Sequence, residues 1–486
     1  MREEVLRLEN VTRIADGVTL LEDVNLQIFQ GEIMGLICIN YGGQDELVGL
    51  LQKNVPIHYG RVYFNEKLVN SYEHTSSSMN KISIIERHSR LADDLRVADN
   101  IFVLRHGFKK HLINRNKLNA QLRQFTDELE LDLDGDRLVA RLTPYEKYAC
   151  ELLRAVVAGV KLVVIKDISN CVGTADLVKF RELMKHFAAK GFSFLYVCNH
   201  HEEAFKICDR LALMENGHII KVLEKRDFTR YKMSPYYIGV YPGTPLVPRL
   251  KQQNVLRFES VSTGHLHNAS FSVDRGECVV LLDMNNTVLS DIIMAMKGVL
   301  PVDSGRIYFK DKSYTRRMAK RAVENGVAFI GQYPTSSMLY PDMDYMKNLC
   351  FLIDQKRNIF RMNGRIRKSV IQEYGDLLGN DIFAKDITRL GPASLYNLIY
   401  YRIFLFNPGV VFCVQPFSDA DLNLRRHVVE LILLLKKKGI AVIILAVNLS
   451  DSLIVADRLL QVKEGILCRE FERNDFKYFD REATTI

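Results

Sequence analysis

The sequence predicts an α/β protein built from two copies of one domain. Its 486 residues are too many for one ordinary domain. The string GRVYFNEK at 60–67 returns as GRIYFKDK at 305–312, about 245 residues later, and CDRLALMENGHII at 208–220 is matched by ADRLLQVKEGILC at 456–468. We therefore predict domains at 1–236 and 255–486. The residues between them, 237–254, carry three Pro and two Gly and are predicted to be a linker.

Strand and helix signals alternate in each copy. In the first, apolar runs at 161–167 and 192–199 bracket a helical stretch that ends at Gly191. In the second, runs at 409–415 and 440–448 bracket a helix at 421–437. Continuous apolar strands on either side of a helix indicate parallel strands that are buried on both faces. The charged stretch 95–140 is predicted to be a helical insert.

Composition favours a globular protein of a reducing compartment. Hydrophobic residues make up 48% of the chain and the formal net charge is +8. The nine cysteines form no C-x-x-C pair and mostly lie in apolar runs, which favours buried thiols in the cytosol. No apolar run approaches a membrane span, so membrane contact is expected only through a partner. The longest basic block, 436–438, is predicted to be a solvated helix end and not a nucleic-acid patch.

Residues 31–47 have the frame of a phosphate-binding loop without its chemistry. A turn, an apolar strand over 33–37, a Gly-containing loop and a helix that opens at residue 44 follow the order of a P-loop, G-x-x-x-x-G-K-[ST]. Cys38 stands at the first glycine of that pattern. The vestigial phosphate-binding positions are Asn40, Gly42, Gly43, Gln44 at the lysine and Asp45 at the hydroxyl residue.

The chain resembles the tandem ATP-binding-cassette (ABC) subunits of bacterial sugar importers of the ribose, galactose and xylose type. The resemblance covers nearly the whole chain and rests on the repeat, the order of elements, and strings such as those at 7–32 and 91–105. It implies two tandem ABC-type nucleotide-binding domains, each with a P-loop NTPase-like core sheet and a helical subdomain. It also implies ATP and Mg²⁺ as cofactors and membrane permease subunits as partners, contacted around 84–105 and 330–350.

The motifs of that family are altered in the first copy. The aromatic residue that would stack on adenine falls at Ala15, and the Q-loop glutamine is Arg87. The signature L-S-G-G-Q reads LTPYE at 142–146. Its glycines let backbone N–H groups reach a phosphate, and Pro144 and Tyr145 block that approach.

The metal-binding positions are altered too. The Mg²⁺-binding aspartate of Walker B is Lys166, and an ammonium group cannot ligate a cation. Asp167 stands at the general-base position as a vestigial catalytic residue. The switch histidine aligns with Asn199, next to His200.

Two carboxylates, Asp45 and Glu46, follow the altered loop where a polyphosphate would lie. Like charges about 4 Å apart at an effective dielectric near 20 repel by roughly 4 kcal/mol. Carboxylates also suit a helix N-terminus, where they complement free N–H groups and the helix dipole. We therefore favour side chains that replace the phosphate over residual ATP binding.

The second copy departs further from the family's motifs. Its loop at 283–291 has no glycine, and its signature region is LGPAS at 390–394. Gln415 stands at the general-base position as the second vestigial catalytic residue. Gln332 lies where a Q-loop glutamine belongs and Asp421 where a D-loop aspartate belongs.

These residues leave three hypotheses. The favoured one is a non-catalytic pseudo-ATPase, a scaffold or regulator that keeps the cassette fold and a permease or other protein partner, with no metal site and no cofactor of its own. The alternative is a working ATP-binding subunit that energises a carbohydrate importer with ATP and Mg²⁺. A tandem cassette that acts on the ribosome is disfavoured, because such proteins have a long charged helical linker between well-preserved sites.

Overall fold

The chain divides into two units, Met1–Ile238 and Gly239–Ile486, in a computed structural model. The structure describes residues 3–15, 17–40, 42–75, 80–103, 114–199, 201–233, 253–353, 364–418, 420–449 and 451–476. Most of the predicted linker, 237–252, lies outside the described residues, so the predicted domain bounds stay a prediction.

Unit 1 alternates strands and helices along most of its length. Its strands are β1 (Glu4–Ala15), β2 (Val18–Phe29), β3 (Ile33–Cys38), β4 (Tyr59–Phe64), β5 (Lys67–Ser71), β6 (Ile82–Ile85), β7 (Leu162–Lys166), β8 (Ser193–Val197), β9 (Arg210–Glu215) and β10 (His218–Glu224). Its α-helices are α1 (Gln44–Lys53), α2 (Val97–Phe102), α3 (Arg115–Leu129), α4 (Pro144–Val157), α5 (Thr174–Ala189), α6 (His201–Ile207) and α7 (Arg230–Met233). Helices α2 and α3 lie in the predicted helical insert.

The strands of unit 1 form two sheets. One is antiparallel, in the order β2-β1-β4-β5. The other has the order β10-β9-β3-β8-β7-β6, with all neighbours parallel except the pair β10 and β9. Every residue of β3 and β8 is buried, as expected of central parallel strands with both faces covered. The predicted strand–helix–strand unit is confirmed as β7, α5 and β8.

Unit 2 repeats this order of elements. Its strands are β11 (Asn254–Thr263), β12 (Leu266–Asp274), β13 (Cys278–Asp283), β14 (Ser304–Phe309), β15 (Lys312–Ser313), β16 (Val327–Ile330), β17 (Val410–Val414), β18 (Ala441–Ala446), β19 (Arg458–Lys463) and β20 (Ile466–Glu472). Its described α-helices are α8 (Leu289–Met296), α9 (Arg316–Ala319), α10 (Pro334–Ser337), α11 (Tyr345–Cys350), α12 (Gly364–Leu378), α13 (Pro392–Phe406), α14 (Leu422–Lys437) and α15 (Ser452–Val455).

The sheet of unit 2 has the strand order of unit 1. Strands β20-β19-β13-β18-β17-β16 follow one another as β10-β9-β3-β8-β7-β6 do, and the antiparallel set β15-β14-β11-β12 joins them through one bridge between His267 and Ile466. Strands β17 and β18 are parallel and flank α14 in sequence, as predicted. The shared order confirms the internal repeat at the level of topology.

The basic block 436–438 is only in part the solvated helix end that its sequence predicts, because Lys437 is exposed but Lys436 and Lys438 are not. Lys436 is 2% exposed, and its Nζ donates to the carbonyl oxygen of Val455 and contacts Oδ2 of Asp457 at 2.8 Å. Lys438 lies over the ring of Phe404. The prediction failed at Lys436 and Lys438 because their aliphatic stems pack along the unit while their ammonium groups reach the carbonyl oxygens of Val455 and Phe404.

Helices that could cross a bilayer are absent from the described part of the chain, where none is both long and apolar enough.

Candidate functional site

The loop between β3 and α1 is held in place by backbone contacts at its glycines. Gly43 has φ +85°, and a Cβ atom there would lie 2.5 Å from Cα of Gly217 and 2.8 Å from the carbonyl oxygen of Leu20. The loop can therefore close against β2 and the β9–β10 turn only with glycine at this position. Tyr41, in the same loop, lies outside the described residues.

Asn40 braces the same loop. Its Nδ2 donates to Oδ1 of Asn216 at 2.8 Å, and its Oδ1 accepts from the N–H groups of Gly42 at 3.2 Å and Asn216 at 2.9 Å. The side chain of Asn40 is thus engaged with the loop and with the β9–β10 turn. The predicted positions Asn40, Gly42 and Gly43 do come together, as parts of a turn.

Gln44 and Asp45 are the first two residues of α1, and one is buried while the other forms an ion pair at the surface. The side chain of Gln44 is 2% exposed, and its Oε1 has no hydrogen-bond partner in the described part of the chain. It is neutral where a P-loop would carry a lysine. The carboxylate of Asp45 forms an ion pair with the ammonium group of Lys166, at the end of β7. These are the two positions at which the P-loop and Walker B motifs would bind one metal ion.

Glu46 is also paired, with the guanidinium group of Arg13 on β1. The first-turn carboxylates that the sequence predicts to serve the helix end therefore contact cationic side chains. No side-chain hydrogen bond caps the N-terminus of α1. Because each carboxylate is offset by a cation, the repulsion of a polyphosphate by Asp45 and Glu46 is weaker than unpaired charges would give. The larger obstacle to a metal is that Lys166 replaces a carboxylate ligand and holds the remaining one, Asp45.

Asp167 follows Lys166 in a left-handed conformation, with φ +54°. Its N–H group donates to the carbonyl oxygen of Val197 at 3.1 Å, which ties the turn to the neighbouring strand β8. The Nδ2 atom of Asn199 lies 3.5 Å from Oδ1 of Asp167, at the limit of a hydrogen bond. The general-base and switch positions are therefore neighbours, and His200 lies outside the described residues.

The signature region of unit 1 forms a capping box at the start of α4. Thr143 Oγ1 accepts from the N–H of Glu146 at 3.3 Å, and Glu146 Oε2 accepts from the N–H of Thr143 at 2.6 Å. Arg137 binds the other carboxylate oxygen of Glu146 at 2.6 Å. The N-terminus of α4, which in an L-S-G-G-Q motif faces a phosphate, is thus satisfied by its own side chains.

Arg87, at the Q-loop position, lies next to a buried acidic contact. Its carbonyl oxygen accepts from the hydroxyl of Tyr148 at 2.8 Å. Nearby, the carboxylate of Glu151 accepts from Ser89 Oγ at 3.1 Å and from the N–H of Arg90 at 2.5 Å. Burial raises the pKa of Glu151 above its usual value. Helix α4 thereby fixes the segment that follows β6.

The corresponding loop of unit 2 surrounds a carboxylate. Asp283, the last residue of β13, is fully buried. Its Oδ1 accepts from the N–H of Asn285 at 3.1 Å, and its Oδ2 accepts from the N–H groups of Thr287 at 2.6 Å and Val288 at 2.7 Å. Loop amides that converge on one anion are the arrangement by which a P-loop holds phosphate.

Gln332 and Gln415, two of the predicted site positions of unit 2, contact each other. Nε2 of Gln332 lies 3.3 Å from Oε1 of Gln415. Gln415 has φ +43°, and its N–H donates to the carbonyl oxygen of Leu445 at 2.8 Å, as Asp167 does to Val197 in unit 1. Asp421 caps α14 through its Oδ1, which accepts from the N–H of Leu424 at 2.7 Å.

Sequence reasoning predicted that carboxylates replace the phosphate but missed their cationic partners, Lys166 for Asp45 and Arg13 for Glu46. The opposite charges of Asp45 and Lys166 were a readable signal, because both motifs converge on one ion. The pattern T-x-x-E at 143–146 was a readable capping box. The hydrogen bonds of Asp283 could not be predicted from the sequence, because an aspartate at the end of a strand can face solvent, cap a helix or bind loop amides. Across the described residues, no cluster of three or more His, Cys, Asp or Glu side chains is placed to hold a metal ion.

Comparison with known proteins gives full-length matches. No protein-family model matches the chain. It is 23% identical over 481 residues to "Ribose import ATP-binding protein RbsA" of Caldanaerobacter subterraneus subsp. tengcongensis, covering 97% of each chain. It is 21% identical over 479 residues to the protein of the same name from Clostridium tetani, covering 97% of this chain and 95% of that one.

Solved structures agree on the fold. The match to archaeal ABCE1 in a model of ribosome-bound Pelota and ABCE1 has a TM-score of 0.64 at 13% identity, over 98% of this chain and 80% of that one. The match to the archaeal ribosome recycling factor aABCE1, solved with the ribosomal stalk protein aP1, has a TM-score of 0.60 at 12% identity, over 98% and 92%. At such identities the likeness shows the fold alone. The homologues of this chain are therefore ribose import ATP-binding proteins of two-cassette length, and it has their tandem ABC ATPase fold.

Proposed function

We propose that the chain is a non-catalytic member of a sugar transport system, a pseudo-ATPase that serves as a scaffold or regulator. It keeps the fold of the ATP-binding subunits and lacks their nucleotide chemistry. Its partners are the membrane permease subunits of an importer, and it lies in the cytoplasm and reaches the membrane only through them. Full-length homology to ribose import ATP-binding proteins supports the transport context.

The ion pair between Lys166 and Asp45 carries the proposal. Phosphoryl transfer depends on a Mg²⁺ ion that the P-loop and Walker B residues hold together. Here those two positions bind each other. Lys166 offers no oxygen to a cation, and its repulsion of a +2 ion, roughly 8 kcal/mol at about 4 Å and an effective dielectric near 20, cancels the attraction of Asp45 for that ion. The residues present therefore do not fit Mg²⁺, and we derive no hydrolytic step for unit 1.

Two further features support the absence of catalysis. In unit 1 the N-terminus of α4 carries the capping box of Thr143 and Glu146, so the N–H groups of these two residues are not available to a phosphate. In unit 2 the loop amides are bonded to Asp283, and the general-base position is the neutral Gln415. Restoring any one of these features leaves the others in place.

The alternative is a working ATP-binding subunit that energises a carbohydrate importer. Homology over nearly the whole length of proteins named as ribose import ATP-binding proteins is the observation in its favour. It requires that ATP binds with Mg²⁺ despite Lys166. The two functions are therefore separated by one binding measurement.

Equilibrium dialysis of labelled ATP against the purified full chain, with Mg²⁺ and with EDTA, is that measurement. We expect no binding at millimolar ATP in either condition. Saturable Mg²⁺-dependent binding below about 0.1 mM, about 5.5 kcal/mol, would overturn the proposal in favour of the working subunit. A ribose import ATP-binding protein with an intact P-loop, dialysed in parallel, is the positive control.

Membrane association through a partner is tested by cell fractionation. We expect the chain to sediment with membranes from cells that contain its permease, and the purified chain to stay unbound to protein-free anionic vesicles. Binding to the vesicles alone would contradict a partner-mediated location.

A further inference from the structure

The loop between β13 and α8 contains its own anion. Three backbone N–H groups, those of Asn285, Thr287 and Val288, converge on the carboxylate of Asp283 at 3.1, 2.6 and 2.7 Å. The side chain is fully buried. Each of these donors is a backbone group, so the loop itself, and not a neighbouring lysine or arginine, accommodates the charge.

Asp283 lies at a position that belongs to the phosphate-binding loop in the family's motif. In the alignment of the second copy with G-x-x-x-x-G-K-[ST], Asp283 stands at the first glycine and its donors lie in the variable stretch and at the second glycine. In a P-loop, backbone N–H groups of this stretch hold phosphate oxygens. A carboxylate, like a phosphate, is a compact oxyanion that can accept several such N–H groups.

We propose that the carboxylate of Asp283 is a built-in substitute for a nucleotide phosphate in unit 2. It occupies the site formed by the N–H groups of Asn285, Thr287 and Val288, which we call the anion cradle. It thereby holds the loop in a ligand-bound shape without any ligand. The cradle is therefore closed to external phosphate. The inference concerns unit 2 alone, so ATP binding by unit 1 would overturn the proposed function without affecting this one.

A simpler role for Asp283, as an ordinary cap of α8, does not account for the contacts. Helix α8 begins at Leu289, and its N-cap residue is Val288, with no side-chain cap. The donors Asn285 and Thr287 precede the helix, and Asp283 lies five residues before Val288. The carboxylate therefore organises the whole loop and not only the first turn of the helix.

Unit 1 provides the internal comparison. Its equivalent position is Cys38, at the end of β3, which has no carboxylate. The loop that follows is organised by Asn40, through its contacts with Gly42 and Asn216. Asn285 braces the loop of unit 2 in the same way, because its Oδ1 accepts from the N–H of Glu464 at 3.0 Å. The two units therefore share the asparagine brace, and unit 2 adds the carboxylate of Asp283 at the position of Cys38.

The test replaces Asp283 with Ala in the full chain and adds inorganic phosphate. Removal of the carboxylate takes the acceptor away from three N–H groups, of which that of Val288 is buried, so the variant should unfold at a lower temperature than the parent. Phosphate at about 10 mM should then raise its Tm by about 2–4 °C, because it binds only the folded cradle. The parent chain should not respond. Sodium chloride of equal ionic strength is the salt control, and Cys38→Ala is the matched variant in unit 1.

Two results would overturn the proposal. One is a folded Asp283→Ala variant whose Tm is unchanged by phosphate, and the other is a parent chain that phosphate stabilises to the same extent. If the variant does not fold, hydrogen exchange of the parent decides. The amides of Thr287 and Val288 should be strongly protected and indifferent to phosphate, and rapid exchange at these amides would contradict an occupied cradle.

Discussion

Lys166 and Asp45 stand at the two positions of unit 1 that would share one metal ion, and they are paired with each other. The ammonium group thus takes the place of the cation that both motifs would otherwise hold. Lys166 is 22% exposed and Asp45 is 84% exposed, so water screens the pair. Its role is to fill a position and not to stabilise the unit strongly.

A double-mutant cycle with Lys166→Met and Asp45→Asn should give a coupling free energy below about 1 kcal/mol, because the aspartate is solvated. The coupling should weaken further at about 0.5 M salt. Urea unfolding of the four proteins measures it. The matched pair Arg13 and Glu46, with exposures of 18% and 24%, should couple more strongly. A coupling above about 2 kcal/mol for the first pair would mean that it is a structural bridge.

Restoring the P-loop alone should not restore catalysis. The double variant Gln44→Lys with Asp45→Ser regains the lysine and the hydroxyl, but Lys166 then has no carboxylate partner and still occupies the metal position. We expect no ATP hydrolysis above that of the parent in a phosphate-release assay. Adding Lys166→Asp should increase Mg²⁺-dependent ATP binding relative to the double variant. Measurable ATPase activity in the double variant would contradict the assigned role of Lys166.

The capping box at the start of α4 predicts a loss of stability when it is broken. Thr143→Ala removes the acceptor for the N–H of Glu146 and should lower the free energy of unfolding by about 0.5–2 kcal/mol. Thr143→Ser keeps the hydroxyl and is the matched control. Both are compared by urea unfolding. Equal stability of the Ala and Ser variants would show that the hydrogen bond to Thr143 contributes nothing.

The buried carboxyl group of Glu151 predicts that the free energy of unfolding depends on pH. Burial raises its folded-state pKa above 4.5, so the folded chain holds this proton more tightly than the unfolded chain. The resulting stabilisation is complete below the unfolded-state pKa and is lost as pH rises through the folded-state pKa. The stability of the parent relative to Glu151→Gln should therefore increase as pH falls from neutral towards 4.5.

Urea unfolding at several pH values measures this difference, with the exposed Glu224→Gln as control. A difference between parent and Glu151→Gln that is independent of pH, or that decreases on acidification, would contradict a raised pKa for Glu151.

The fold could be predicted from the sequence because strand signals are local and the two copies can be compared string by string. Buried parallel strands such as β8 and β18 are continuous apolar runs, and the repeated strings fixed the correspondence of the two units. The loop between β3 and α1 was also predictable, since Gly43 and the helix start at Gln44 are visible in the sequence. Topology then follows from few rules.

Which side chains fill the vestigial nucleotide sites was less predictable, because this depends on contacts between residues that are distant in sequence. Asp45 and Lys166 are 121 residues apart, so no local pattern predicts their pairing; only the convergence of the two motifs on one ion could have indicated it. Lys436 shows the same limit, since a lysine in a basic block gives no local sign that it will be buried. The meeting of Gln332 with Gln415 depends in turn on the adjacency of β16 and β17.

The three hydrogen bonds of Asp283 have a consequence for physiology. A diffusible ligand occupies its site in proportion to its concentration, whereas a group attached to the chain is present at an effective concentration that never changes. The loop of unit 2 would therefore keep one shape in a starved cell and in a well-fed one. If the chain serves a transport system as proposed, it would provide a component whose shape does not change with the supply of ATP.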